Sequence, residues 1–124
     1  MKSAWQGREL IASPIYYSLA TSEKVFKQIL KPFKMDFDHK CSPTGAVTHF
    51  LYNNDNEECA IVCLFSRKFE KEQVYALLTH EAVHIWQRIK KHLKEKNPSI
   101  EFEAYSIQRI SQNLFYEYKK QVKK

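Results

Sequence analysis

The sequence predicts an α+β domain: a small, mainly antiparallel three-stranded sheet packed on a long buried helix, with further helices at the N- and C-terminal ends. Two observations carry this expectation. Runs with alternating or unbroken apolar character fill residues 33–65, and from Glu70 onward apolar residues recur at helical spacing almost to the end of the chain. At 124 residues and 14.8 kDa the chain can bury one core but not two, so residues 1–124 are read as a single domain.

The elements follow in order. Residues 14–31 open with Pro14, and Thr21-Ser22-Glu23 offers a cap for a helix over about 22–31 that carries Val25, Phe26, Ile29 and Leu30 and stops at Pro32. Phe33, Met35 and Phe37 then alternate with Lys34, Asp36 and Asp38, the period of a half-buried strand, and Ser42-Pro43-Thr44-Gly45 reads as a turn. Ala46–Asn53 and Cys59–Phe65 are two β-rich runs joined by a polar loop, as in a hairpin. The second run is apolar on both faces and is therefore expected at the centre of its sheet or covered on both sides. Val74, Leu77, Leu78, Ala82, Val83, Ile85, Trp86 and Ile89 leave almost no polar face through the middle of the next helix, which marks it as buried. Asn97-Pro98 signals another helix start, and Ile100, Ile107, Ile110 and Leu114 run in helical phase towards a short basic tail at about 119–124.

Composition narrows the function. Two glycines argue against a glycine-rich nucleotide loop, and no apolar run approaches the roughly 20 residues that span a bilayer. The N-terminal residues lead into no signal-type apolar core, so a cytoplasmic, intracellular protein without membrane contact is expected. Cys41, Cys59 and Cys63 form an odd set, with the last two in an apolar run, and are read as reduced core residues. The formal charge of +6 is unevenly spread: residues 1–87 hold ten Lys/Arg and ten Asp/Glu, whereas residues 88–124 hold ten and four. A basic C-terminal third of this kind suits an acidic partner or simply a solvated helix face.

Within the buried helix stands His80-Glu81-Ala82-Val83-His84, the H-E-x-x-H pattern. Residues four apart share a helix face, so both imidazoles can address one Zn²⁺ per chain, while Glu81, about 100° round, can reach a metal-bound water without ligating the metal. The uncharged flanks Leu77, Leu78, Ile85 and Trp86 support a metal site, because ionisable side chains set in apolar surroundings need compensation. Position 90, where a third histidine would complete the longer H-E-x-x-H-x-x-G-x-x-H arrangement, is Lys90, and His92 lies about 12 Å along a continuing helix. A third ligand would then be a carboxylate of the following helix, Glu103 or Glu101. Glu103 is in phase with Ile107, Ile110 and Leu114, and Glu101 with Tyr105 and Gln108, which favours Glu103. A helix unbroken to Lys96 would end roughly 18 Å past His84, with Glu103 only about 7–8 Å into the next. The first helix is therefore expected to end or bend near Lys90–Leu93, or residues 94–99 to double back.

His80-Glu81-x-x-His84 followed by Glu103-Ala104, in Glu101-Phe102-Glu103-Ala104-Tyr105-Ser106-Ile107, resembles the glutamate-type zincin metallopeptidases in minimal form. It is similar in layout to the ImmA/IrrE-type peptidase domains and to small metallopeptidase-like proteins carried by phages and bacteria. The resemblance covers about residues 74–110. It implies a zincin-like fold, His80, His84 and Glu103 as zinc ligands, and Glu81 as general base in hydrolysis of a peptide or protein substrate. Val83 stands where the ImmA/IrrE-type domains usually carry glycine. An edge strand of the sheet would hold an extended substrate, and His49, Tyr52, Tyr75 and Tyr105 are the candidates for stabilising the oxyanion. The alternative is a non-proteolytic zinc-binding module that uses the basic C-terminal third to bind an acidic protein or nucleic acid.

Overall fold

The structure, a computed structural model, describes residues 14–33, 45–65 and 68–122. It has an α+β fold with a mixed sheet of three strands and three helices: β1 (Ile15–Ala20), α1 (Glu23–Leu30), a single 3-10 turn at Lys31–Phe33, β2 (Val47–Tyr52), β3 (Glu58–Cys63), α2 (Lys71–Leu93) and α3 (Ile100–Val122). The strand order is β1-β3-β2. As its two-sided apolar character requires, β3 is central and buried along its whole length.

One expectation about the sheet is corrected. The pairing of β2 with β3 is antiparallel, Thr48 facing Val62 and Tyr52 facing Glu58, but β1 pairs with β3 in parallel, Ile15 beside Glu58 and Ala20 beside Cys63, so the sheet is mixed rather than mainly antiparallel. The strand β1 forms over residues for which the sequence pattern predicts no strand. It is buried at five of its six positions, so the alternation that marks a half-exposed strand is absent. Of the strand expected over residues 33–37, only Phe33 is among the described residues; the turn at 42–45 is likewise described only at Gly45.

The pleat sorts the strand residues onto two faces. Ile15, Tyr17, Leu19, Ala60, Val62 and Leu64 pack with Val74, Leu78, Ile85, Trp86, Ile110 and Leu114 of α2 and α3. Ala20, Leu51, Cys59, Ile61 and Cys63 pack with Phe26, Ile29, Leu30 and Phe33 on the other side. The Ser22 hydroxyl accepts from the Val25 N–H at 3.2 Å and starts α1. The two long helices contact each other along their lengths, Tyr75 against Phe115 with ring centroids 4.6 Å apart. Near the end of α3, Gln121 ties the helix to β1: its amide donates to the Leu19 carbonyl at 2.7 Å, and its carbonyl accepts from the Thr21 N–H and hydroxyl. Residues 119–122, expected as tail, are the last turn of this helix.

The end of α2 falls at Leu93, inside the expected interval. Lys94 adopts the left-handed conformation (φ 58°), its N–H bonding Lys91 O while Glu95 N–H bonds Lys90 O, which is the Schellman closure. Ser99 rather than Asn97 then caps α3, its hydroxyl accepting from Phe102 N–H at 3.1 Å. Among the described residues no helix is long and apolar enough to cross a membrane.

Candidate metal centre

On α2 the residues divide by angle. Val74, Leu78, Ala82, Ile85, Trp86 and Ile89 face the core, and the 3.6-residue period puts His80 and His84 together on the exposed side. The helix expected to be buried is therefore buried along one face only, because the sheet and α3 cover it there and nothing among the described residues covers the other. Their Nε2 atoms stand 3.2 Å apart, with the rings edge to face at 4.8 Å. Two ligands of a tetrahedral Zn²⁺ at about 2.0–2.1 Å are separated by about 3.3 Å, so this pair has the bite of one metal ion. His84 Nδ1 lies 3.1 Å from the side-chain oxygen of Gln87. With the Gln87 oxygen as acceptor, His84 would carry its proton on Nδ1, the tautomer in which Nε2 can ligate a metal.

Glu81 lies at the border between the exposed and core faces and is buried, 6% exposed. Its Oε1 accepts from the Thr48 hydroxyl of β2 at 2.7 Å. This contact draws strand β2 alongside the histidine-bearing turn, and among the described residues β2 is an edge strand.

Glu103 of α3 meets a different face of α2. Its Oε2 accepts from the Trp86 indole N–H at 2.7 Å and lies 3.8 Å from Lys90 Nζ. Trp86 and Lys90 follow His84 by about 200° and 240° round the helix. Glu101 is exposed in the first turn of α3. Among the described residues no group of three or more His, Cys, Asp or Glu is arranged to hold a metal ion. The chain thus brings His80, His84 and Glu81 to one turn and engages Glu103 with the indole.

No protein-family model matches the chain, and no curated protein or solved structure matches it.

The four oxyanion candidates are dispersed. His49 alternates with Thr48 along β2 and meets Phe26 of α1 edge on, at 5.9 Å, on the opposite face of the sheet. Tyr75 packs on Phe115, Tyr105 lines a surface groove with Gln108, Arg109 and Gln112, and Tyr52 flanks the outer end of β2. Two partners of the site went unread in the sequence. Gln87 was legible, since helix side chains three apart meet. Thr48 was not, because its contact with Glu81 depends on how the sheet docks on α2. Cys59 and Cys63 are free and buried, as expected; Cys41 lies outside the described residues. Burial, with Glu57 and Glu58 adding to it, pushes the Cys59 thiol up to about 11, so it stays protonated and unreactive.

Proposed function

We propose that the chain is a zinc-dependent peptidase in which His80 and His84 hold the metal and Glu81 moves the proton. The observation that carries this reading is the 3.2 Å approach of the two imidazole Nε2 atoms beside a buried carboxylate oriented by Thr48. When bound, zinc would lower the pKa of a coordinated water towards ~7 and polarise a carbonyl. Glu81 takes the proton of the attacking water and returns it to the leaving amine as the C–N bond breaks. The Thr48 hydroxyl fixes one oxygen of Glu81 and thereby the direction of its lone pairs. Gln87 holds the His84 tautomer that offers Nε2. Among the described residues β2 is an edge strand, and it would hold an extended substrate beside the histidines by strand addition. Glu103 joins the ligand set only by leaving Trp86 and Lys90.

A second reading, a non-proteolytic metal-dependent interaction module, is favoured by that engagement of Glu103, because it leaves the histidine pair without a third protein ligand. The Glu81→Gln substitution separates the two. Under the peptidase reading the purified chain cleaves an unstructured protein such as casein, the variant does not, and both bind equimolar zinc. Equimolar zinc with no cleavage by the wild type supports the module, and no zinc in either refutes both.

A further inference from the structure

At the outer end of the β2–α2 groove a second cluster of ionisable residues surrounds a cleft of about 320 Å³, lined by Tyr52, Glu58, Arg88, Lys91, His92 and Lys94. Its floor is Glu58, whose side chain is 1% exposed, ion-paired with Arg88 and in hydrogen-bond contact with His92. The Arg88 guanidinium carbon lies over the Phe50 ring, 4.0 Å from its centroid, which holds the arginine against β2. One buried carboxylate is therefore set against Arg88, Lys91 and Lys94, with His92 adding a fourth positive charge when protonated. The sum is a concave surface with an excess of at least two positive charges, three of the contributors lying within one and a half turns of a helix end. The backbone of Lys94 adds to this: it occupies the left-handed position that helices ordinarily give to glycine, and a lysine there keeps an ammonium group at the rim of the cleft.

The direction of β2 relates the cleft to the histidine pair. Thr48 touches Glu81, Phe50 lies under Arg88, and Tyr52 pairs with Glu58, which bonds His92, so β2 and α2 run side by side from the histidines to the cleft. Two to four strand residues separate Thr48 from the cleft, and Arg88 and His92 lie about 6 and 12 Å beyond His84 along the helix. At about 3.3 Å per residue this spans some two to four residues of an extended peptide.

We infer that this cleft is a recognition site for a carboxylate of the bound peptide, an acidic side chain two to four residues from the bond to be cut. The inference rests on the peptidase reading for the placing of the peptide. Addition of the substrate strand antiparallel to β2 puts that residue on the N-terminal side of the bond.

The test uses the full chain carrying Glu81→Gln, in the presence of zinc, and dye-labelled alanine-rich peptides blocked at both ends, with a single Glu or Gln moved along them. Fluorescence anisotropy at low salt is expected to show the best-placed Glu peptide binding about two- to thirtyfold more tightly than its Gln counterpart, the range for two exposed ion pairs. Lys91→Gln with Lys94→Gln, both at exposed positions, is expected to abolish that preference while leaving the Gln peptide unaffected. Amide resonances of Tyr52, Lys91, His92 and Lys94 are expected to shift with the Glu peptide. Equal binding of the two peptides, binding of neither, or a preference that survives the double substitution overturns the proposal. Inorganic phosphate moving those resonances where no Glu peptide does overturns it too. The two readings fail separately: cleavage by the wild type without acidic preference refutes the cleft alone, and acidic preference without cleavage refutes the peptidase alone.

Discussion

Replacing His84 by alanine is expected to separate metal binding from fold stability. Both histidines are exposed and the ring of His84 bonds only Gln87 and His80, so without metal the substitution falls among surface changes, within about 0.5 kcal/mol. With zinc the situation differs. The two Nε2 atoms, 3.2 Å apart, match the roughly 3.3 Å donor separation of one tetrahedral ion, and that chelate is lost when either imidazole is removed. A ligand bound only to the folded chain, at one hundred times its dissociation constant, adds about 2.7 kcal/mol of stability. Urea unfolding with and without zinc is therefore expected to give the wild type a gain of about 2.7 kcal/mol, and His84→Ala or His80→Ala almost none. The same zinc-dependent gain in either variant would refute a shared site. A fall of several kcal/mol without metal would show instead that the pair is a structural contact of the core.

Four further outcomes follow from the structure. Thr48→Val removes the hydroxyl that donates to buried Glu81 and is expected to cost about 1–3 kcal/mol, read from the urea midpoint; an unchanged midpoint would mean that the carboxylate is held by something else. In a Trp5→Phe background, stoichiometric zinc is expected to change Trp86 emission if Glu103 leaves the indole to become a ligand, and an unchanged spectrum at full metal loading removes Glu103 from the ligand set. Cys59 has a folded pKa of about 11 against 9.0, so the folded chain binds more protons between those values and stability falls as pH rises through them. Relative to Cys59→Ala the loss is at most about 2–3 kcal/mol, and equal pH slopes for the two proteins would contradict the cause assigned. Lys94→Gly relieves a left-handed non-glycine residue and is expected to raise stability by about 0.5–1 kcal/mol, measured by thermal unfolding.

What the sequence disclosed depends on how local the information was. His80, Glu81 and His84 share one helical turn, so their relation needs only the 3.6-residue period, and the structure adds the 3.2 Å distance. The end of α2 was legible for a similar reason, through a chain-length argument. The strand β1 was not: Ile15–Ala20 is buried on both faces and finds its partner β3 across more than forty residues, in parallel. Neither periodicity nor a hairpin turn announces such a pairing. The cleft was hidden for the same reason, since Glu58 meets Arg88 and His92 only once β3 has docked against α2.

Glu103 shows where phase reasoning stops. Its alignment with Ile107, Ile110 and Leu114 says that it faces whatever α3 packs on, and it does face α2, through the Trp86 indole and Lys90. Phase along one helix does not say which face of the other helix is met; that is set by the roll of α3, here governed by Ile110 and Leu114 in the core and by Gln121 clamped to Leu19 and Thr21. With those contacts fixed, α3 meets α2 on the side of Trp86, while β2 meets it on the side of Glu81 and Arg88. The histidines occupy the remaining sector, open to solvent between them. Under the peptidase proposal a substrate would enter there, against the edge of β2, without displacing any core residue.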